Sequence, residues 1–526
     1  MNLKKGLHWG QYALLGAMLC AYFAAIILCN FCLSPFCFET DMYADMNYAT
    51  YAWAQKTVFP EGWAYSNQVY VVATPVLAAL FYGITGDPSL AMSIASTIMG
   101  ILVLVSLWWM LKPITRKPLE RLFAVVAMLA VTMAVADPVW IWTGWQLLFT
   151  MCSYYSCYLI TAFLAMGCYL RWEREWARKD WAMLVLAGFL SFATGIQSLR
   201  ETAMLTCPLI AVEFLHCLYR RFTRQKVLTR ATTVTGVVTV TNLLGVLYEK
   251  TLDLPKTELF GKIELVSLSE IWGNAKEGLE NLLSIFYSDF NNGASATLES
   301  LSVLVWICLA AGVVVLGVLL VRFVREGNTT GVLFLLFFLI SPLVILAMDV
   351  LTTMSVRRIY YVMMFPLAVI LLTLLYSKFG KPGRILALGV LVALFTFNAT
   401  NRTANVPRGP DESHSYADVV QCLEENEIHT VYAVLNLGEK FGITSDWEVK
   451  VGFWGDPSSP FSPMRYLCYR DIFDEDPAHC AYAFRPEELE AAQAKIDQWG
   501  VDWELLEYCP DSDIYLYVSD VNLMLY

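Results

Sequence analysis

The sequence predicts an all-α polytopic membrane protein of about eleven transmembrane helices, followed by a small extracytoplasmic α/β domain. Three observations carry this prediction. Of 526 residues, 57% are apolar and only 16% are charged, against about 25% charged in an average soluble protein; the mean hydropathy is +0.52. The runs 9–38, 88–111, 122–136, 138–170, 231–248, 327–348, 359–377 and 385–401 contain no Asp, Glu, Lys or Arg, and most approach or exceed the ~20 apolar residues that span a bilayer as a helix. Charge is also divided along the chain. Residues 402–526 hold 24 acidic and 8 basic side chains, whereas residues 1–401 hold 23 acidic and 28 basic. The net charge of -11 therefore describes a slightly basic membrane body, 1–401, joined to an acidic tail, 402–526. This composition argues against a nucleic-acid binder, a cytosolic enzyme and a secreted disulfide scaffold.

The spans follow from these runs: roughly 12–33, 90–111, 121–137, 144–170, 181–199, 203–219, 231–248, 301–321, 331–349, 359–377 and 385–401. Orientation follows from Lys and Arg, which cytoplasmic loops retain. Six short clusters, from Lys4–Lys5 to Lys378/Lys381/Arg384, hold 20 of the 36 basic residues. The segment VYVVATPVLAALFYGIT (69–85) decides the count, because it is apolar but short and contains Pro75. Read as interfacial or re-entrant rather than spanning, it leaves every basic cluster on one side. The expectation is a multi-pass plasma-membrane protein with a cytoplasmic N-terminus, large outer loops at 34–89 and 249–300, and the tail outside. The first apolar run reads as a signal anchor.

In the tail, helical periodicity appears near 413–426 and 485–499, and strand-like runs at 429–435, 448–454, 502–508 and 513–518. Cys422, Cys468, Cys480 and Cys509 permit two disulfides in an oxidising compartment or four buried thiols, and both readings stand.

Ionisable residues at the outer ends of spans are the informative ones, because charge at membrane depth is costly and usually serves a partner or substrate. Glu39, Asp41 and Asp45 follow the first span directly. On a helix over 41–55, Asp41 and Asp45 share a face at i, i+4, at a cost of a few tenths of a kcal/mol; a solvated acidic rim is the simpler alternative. Asp137-Pro138 closes the third span, where a helix-end turn is the plain reading. Arg200-Glu201 and Arg357-Arg358 sit at outer span ends, against the positive-inside bias, and guanidinium forks suit phosphate. No phosphate loop, dinucleotide fingerprint, nucleophile elbow or HExxH spacing is present.

Together these features resemble the GT-C glycosyltransferases, polytopic enzymes that move a sugar from a polyprenyl-phosphate carrier to an acceptor outside the cytoplasm. The likeness is to the bacterial branch containing protein mannosyltransferases and the aminoarabinose transferase of lipid A. It covers the topology of about 1–400. In sequence it rests on short stretches: Glu39 to Asp45 (ETDMYAD) at the acidic motif after the first span, Thr74-Pro75-Val76-Leu77 at the Pro-Leu motif, Ala136-Asp137-Pro138, Arg200, and Arg357-Arg358 with Tyr360-Tyr361. Two departures stand out. An Asp-Glu pair is replaced by Glu39-Thr40, and no basic residue precedes Pro75.

The resemblance implies an inverting transfer. Glu39 or Asp41 would act as general base on the acceptor hydroxyl, with Asp45 as the second acid. Tyr43, Asp137, Arg200, Glu201, Arg357 and Arg358 would bind substrate, the arginines facing the departing phosphate. It implies a polyprenyl-phosphate-linked sugar donor and a glycan, glycolipid or protein acceptor. No cofactor is required, although a divalent cation shared by Asp41 and Asp137 stays open. Two other readings remain: a polysaccharide polymerase or ligase, and a lipid-linked saccharide transporter or flippase. A transporter would carry mid-membrane polar groups on broken, repeated helices, and no repeat is evident.

Overall fold

The computed structural model describes residues 3–33, 40–66, 68–134, 144–150, 153–174, 180–256, 264–278, 296–353, 357–402 and 416–526. Glu39 and Asp137 lie outside the described residues, and of Arg357 and Arg358 only the backbone is described.

Eleven long helices occur among the described residues at the places the charge-free runs indicate. Seven stretches are long and apolar enough to cross a bilayer: Trp9–Cys32, Pro88–Met110, Asp180–Gln197, Thr202–Phe222, Arg230–Glu249, Thr329–Leu351 and Gly380–Thr400. Helices Pro118–Ala134, Ser156–Arg174, Ala296–Arg325 and Arg357–Lys378 complete the bundle. The segment around Pro75 forms a helix of 12 residues, Thr74–Thr85. At 1.5 Å per residue it extends about 18 Å, well short of the ~30 Å hydrocarbon core.

Local chemistry sets several boundaries. Pro75 sits in the first turn of Thr74–Thr85, where its missing N–H costs nothing. Gly86 closes that helix at φ 70°, and Asp87 caps the next one by accepting from the Ser89 and Leu90 amides at 2.8 and 3.1 Å. Pro208 cannot donate to the carbonyl four residues back. The chain there runs as a wide π turn, Thr202–Thr206, in which the Cys207 amide reaches the Thr202 carbonyl.

One expectation needs correction. The run 144–170 is not a single span: a short helix, Gly144–Leu148, is followed by a turn, and the span is Ser156–Arg174. Ser153 takes a φ of 46°, a left-handed conformation that interrupts a right-handed helix.

Small residues bring the helices into close contact, as expected where lipid supplies no hydrophobic drive between them. A methyl at Gly195 would lie 2.4 Å from the Asn242 carbonyl, and one at Gly245 2.1 Å from the Phe192 carbonyl. Asn242 accepts from Thr202 at 2.8 Å and donates to the Ser191 carbonyl at 3.3 Å. Asn398 ties the last span to the first and third by donating to Tyr22 Oη at 3.0 Å and to the Ala130 carbonyl at 2.9 Å.

The bundle has two distinct ends. At one, Lys378 donates to the Ile114 carbonyl, Arg322 to the Lys378 carbonyl, Tyr376 to Gln11 and Arg171 to the Trp109 carbonyl. There Arg220 pairs with Glu173 at 2.7 Å and Glu213 at 3.4 Å, and Tyr169 donates to Glu213 at 2.6 Å. Five basic clusters therefore share one end. At the other end, Tyr65 bridges to Lys256, Leu265 to Thr352, and Val69 donates to the Gln197 carbonyl at 3.1 Å.

The tail sits on that second end. Its five-stranded sheet has the order β3-β2-β5-β7-β6, from β2 (Thr430–Val434), β3 (Lys450–Trp454), β5 (Cys480–Phe484), β6 (Glu504–Cys509) and β7 (Ile514–Val518). β2 pairs in parallel with β3 and β5, and β7 runs antiparallel to β5 and β6. Helices Ala417–Glu425, Gly438–Thr444 and Leu489–Trp499 complete the domain. Cys422, Cys468, Cys480 and Cys509 are free thiols, all buried, which resolves the alternative left open by the sequence.

Candidate active site

Among its described residues, the loop after the first span is not an exposed rim. Thr40–Gln55 is a helix held between the bundle and the tail. Met42, Tyr43, Ala44, Asp45, Met46, Tyr48 and Ala49 are all buried. Two strand residues after it, β1 (Trp63–Ala64), pair antiparallel with β4 (Cys468–Tyr469) of the tail. The tail is thus joined to the loop by backbone hydrogen bonds and by aromatic packing.

Tyr43 belongs to that joint. Its ring stacks on Trp447 with centroids 5.0 Å apart and planes 5° from parallel, and meets Phe453 edge-on at 6.2 Å. It is 2% exposed and forms part of the tail's own core. In this structure the Tyr43 ring is engaged in domain docking. Replacing it with Leu removes the stacking, worth about 1 kcal/mol beyond area burial. The expected outcome is a lower unfolding temperature and faster protease release of the tail. Unchanged protease sensitivity contradicts this role.

Asp45, one turn on from Asp41, is completely buried and accepts from Tyr70 Oη at 2.6 Å. Burial raises the Tyr70 phenol well above its ordinary value, and Asp45, Tyr466 and Asp41 push it further the same way. Tyr70 therefore stays a proton donor to Asp45. Asp41 is only half-buried and bears on the same phenol.

Arg200 lies close by. Its Nη1 donates to Gln68 Oε1, which also accepts from Tyr158 Oη at 3.2 Å. Gln197 donates to Tyr158 Oη at 3.1 Å, while its own Oε1 accepts from the Val71 and Val72 amides at 3.3 Å each. These bonds clamp segment 68–72 onto the end of Asp180–Gln197. The Arg200 guanidinium stands 5.5 Å from the Tyr155 ring centroid. Burial opposes its charge, but Tyr155, Tyr158 and Tyr466 outweigh burial and hold its pKa above the ordinary value. Tyr466 of the tail thus bears on both Tyr70 and Arg200. The structure gathers Asp41, Asp45, Tyr70, Gln68, Arg200 and Tyr466 around one region at the tail-bearing end.

Glu201 follows Arg200 directly. Its side chain is fully buried, and neither carboxylate oxygen has a hydrogen-bond partner among the described residues. Its nearby groups include Cys157. In this structure Glu201 holds a packed interior position. Desolvation raises the Glu201 pKa well above 4.5. The sign follows from linkage: the folded state holds the proton more tightly, so this contribution is complete below pH 4.5 and is lost as pH rises towards the folded-state value. Glu201→Gln is expected to raise the unfolding temperature at pH 7–8 but not at pH 4.5. Equal effects at both ends of that range contradict the assignment.

Of the remaining candidates, Arg357 and Arg358 begin a helix at this same end, shortly after the Thr352–Leu265 bridge. Among the described residues no group of three His, Cys, Asp or Glu could hold a metal ion, and Asp137 is not among those residues. Sequence reasoning missed Gln68, Tyr70, Gln197 and Tyr466. Gln68 and Gln197 carried a faint signal, as uncharged amides flanking apolar runs; Tyr466 carried none.

No protein-family profile matches the chain, and no curated protein matches it. Solved structures do. The oligosaccharyltransferase of Archaeoglobus fulgidus, in complex with Zn and sulfate, aligns at a TM-score of 0.45 and 11% identity over 83% of this chain. This chain spans 62% of that protein's length. ArnT from Cupriavidus metallidurans aligns at 12% identity, with a TM-score of 0.41 in the apo state and 0.38 bound to undecaprenyl phosphate. Those alignments cover 98% and 96% of this chain, and 99% and 98% of ArnT.

Proposed function

We propose that this protein is an integral-membrane glycosyltransferase that moves a sugar from a polyprenyl-phosphate carrier to an extracytoplasmic acceptor, with inversion. The observation that carries the reading is the meeting of Asp41, the Asp45–Tyr70 pair and Arg200 at the end of the bundle covered by the tail. Five basic clusters at the opposite end support a cytoplasmic assignment of that end, and with it a site turned towards the outer leaflet.

In this reading the acceptor oxygen attacks the anomeric carbon while the carbon–oxygen bond to phosphate breaks. The acceptor proton passes to Asp41, the half-buried carboxylate. Asp45 is enclosed and positions Tyr70. Arg200, oriented by Gln68, takes the negative charge that develops on the leaving phosphate, and Arg357 and Arg358, which begin helix Arg357–Lys378, are read as its partners in that role. Lipid phosphate is already a leaving group, so the residues present need no nucleotide. A transporter reading is less well supported, because the charged groups cluster at one end rather than at mid-membrane.

The test uses purified protein in proteoliposomes with radiolabelled polyprenyl-phosphate sugars and an extract of cell-envelope acceptors. Label is expected to leave the lipid phase only with protein present. Label that stays on the lipid with every sugar, or that crosses the bilayer still attached to lipid, overturns the reading.

A further inference from the structure

A second polar feature lies outside the catalytic region. Between the far end of helix Thr40–Gln55 and the tail is a cleft of about 490 Å³. Gln55, Glu61, Arg465, Arg470, Asp471 and Asp474 line it. Gln55 is occupied in holding the turn, accepting from the Glu61 amide at 2.7 Å. Arg465, Arg470 and Asp474 are exposed, and their side chains make no hydrogen bond or ion pair among the described residues. Tyr469 forms a flat wall, stacked on Tyr51 at 4.8 Å with planes 5° from parallel. Its approach needs Gly62, which has φ 80° and where a methyl would stand 2.8 Å from the Tyr469 ring. The Arg470 amide donates to the Gly62 carbonyl at 2.9 Å. The cleft is therefore built jointly by the two domains and held in shape.

Its chemistry selects among ligands. No aliphatic side chain lines it, so it cannot repay desolvation of a lipid chain or of apolar peptide side chains. Two guanidinium groups stand among three carboxylates, which disfavours a polyanion. Donors and acceptors around an aromatic wall suit a neutral ligand rich in hydroxyl groups.

Its position links it to the reaction. Tyr466 and Tyr469 belong to one tail segment, the first bearing on Tyr70 and Arg200 and the second walling the cleft. Along the helix, Tyr51 and Gln55 lie about 15 and 21 Å from Asp41 at 1.5 Å per residue. We propose that this cleft binds the acceptor as an uncharged oligosaccharide, packed against Tyr469 and hydrogen-bonded by Arg465, Arg470, Asp471 and Asp474. The word acceptor rests on the glycosyltransferase reading; saccharide binding by the cleft does not.

The experiment measures equilibrium binding to the full-length protein in nanodiscs, without donor. The probes are fluorescent neutral hexose mono- and tetrasaccharides, a uronic-acid tetrasaccharide and a Ser/Thr-rich peptide. The neutral tetrasaccharide is expected to bind at least tenfold more tightly than the monosaccharide and the uronic acid. Arg470→Ala with Asp474→Asn should weaken it at least tenfold. Failure of the neutral tetrasaccharide to bind, binding unaffected by the cleft substitutions, or preferential peptide binding each overturns the proposal. If the tetrasaccharide binds as expected while no sugar ever leaves polyprenyl phosphate, the cleft stands and the enzyme reading falls.

Discussion

Asp41→Asn is expected to lower transfer from polyprenyl-phosphate sugar by about 10²- to 10⁴-fold, the usual contribution of a positioned general base. The amide keeps the size of the carboxylate and removes its ability to take a proton. Asp41 is on the first turn of its helix and half-buried, so the substitution should cost less stability than one at the enclosed Asp45. Asp45→Asn behaves differently. Tyr70 loses a charged acceptor at 2.6 Å, in a site with no exposure to water, and a hydrogen bond to a buried charge is worth about 1.5–3 kcal/mol. Asp45→Asn should therefore lower both stability and activity, whereas Asp41→Asn lowers chiefly activity. Initial rates together with thermal unfolding separate the two. An Asp41→Asn protein that transfers sugar at the wild-type rate removes Asp41 from the reaction.

Arg200→Ala should cost about 10²- to 10³-fold in kcat, the scale seen when one preorganised donor to developing negative charge is removed. KM for the donor should rise less than kcat falls, because the guanidinium matters most as phosphate departs. Arg200→Lys should recover only part of the loss: a compact ammonium lacks the planar fork that both Gln68 and a phosphate can engage. A Lys variant as active as wild type shows that charge alone suffices and contradicts a role for fork geometry. Gln68→Ala offers the complementary readout, since it leaves the charge and removes the group that orients it.

The membrane architecture was legible in the sequence because the physics behind it is one-dimensional. A run without charges is long enough to span or it is not, and basic residues mark one side. The placement of Lys378, Arg322, Arg171 and Arg220 at a single end follows from that rule. The helix over Asp41 and Asp45 and four of the five main tail strands were legible from periodicity. Cys480–Phe484 was missed because a short central strand buried throughout shows no alternation. The break before Ser156 was hidden because polar turn residues there lie within an uncharged run. The site was legible only in part. Charge singled out Asp41, Asp45 and Arg200, but it carried no information on enclosure, and Glu201 is fully buried. The packing of Tyr43 was not legible because its partner, Trp447, is about 400 residues away in sequence, and Tyr466 depends on the same docking of the tail.

Photocrosslinking with a diazirine-bearing polyprenyl phosphate probes most closely whether the acidic loop and Arg200 form one outer-leaflet phosphate site. Labelled peptides are expected from segments 68–76 and 198–206, with labelling lost in Arg200→Ala and competed by unlabelled polyprenyl phosphate. Labelling confined to the end carrying the basic clusters, or unchanged by Arg200→Ala, would contradict a carrier bound beneath the tail.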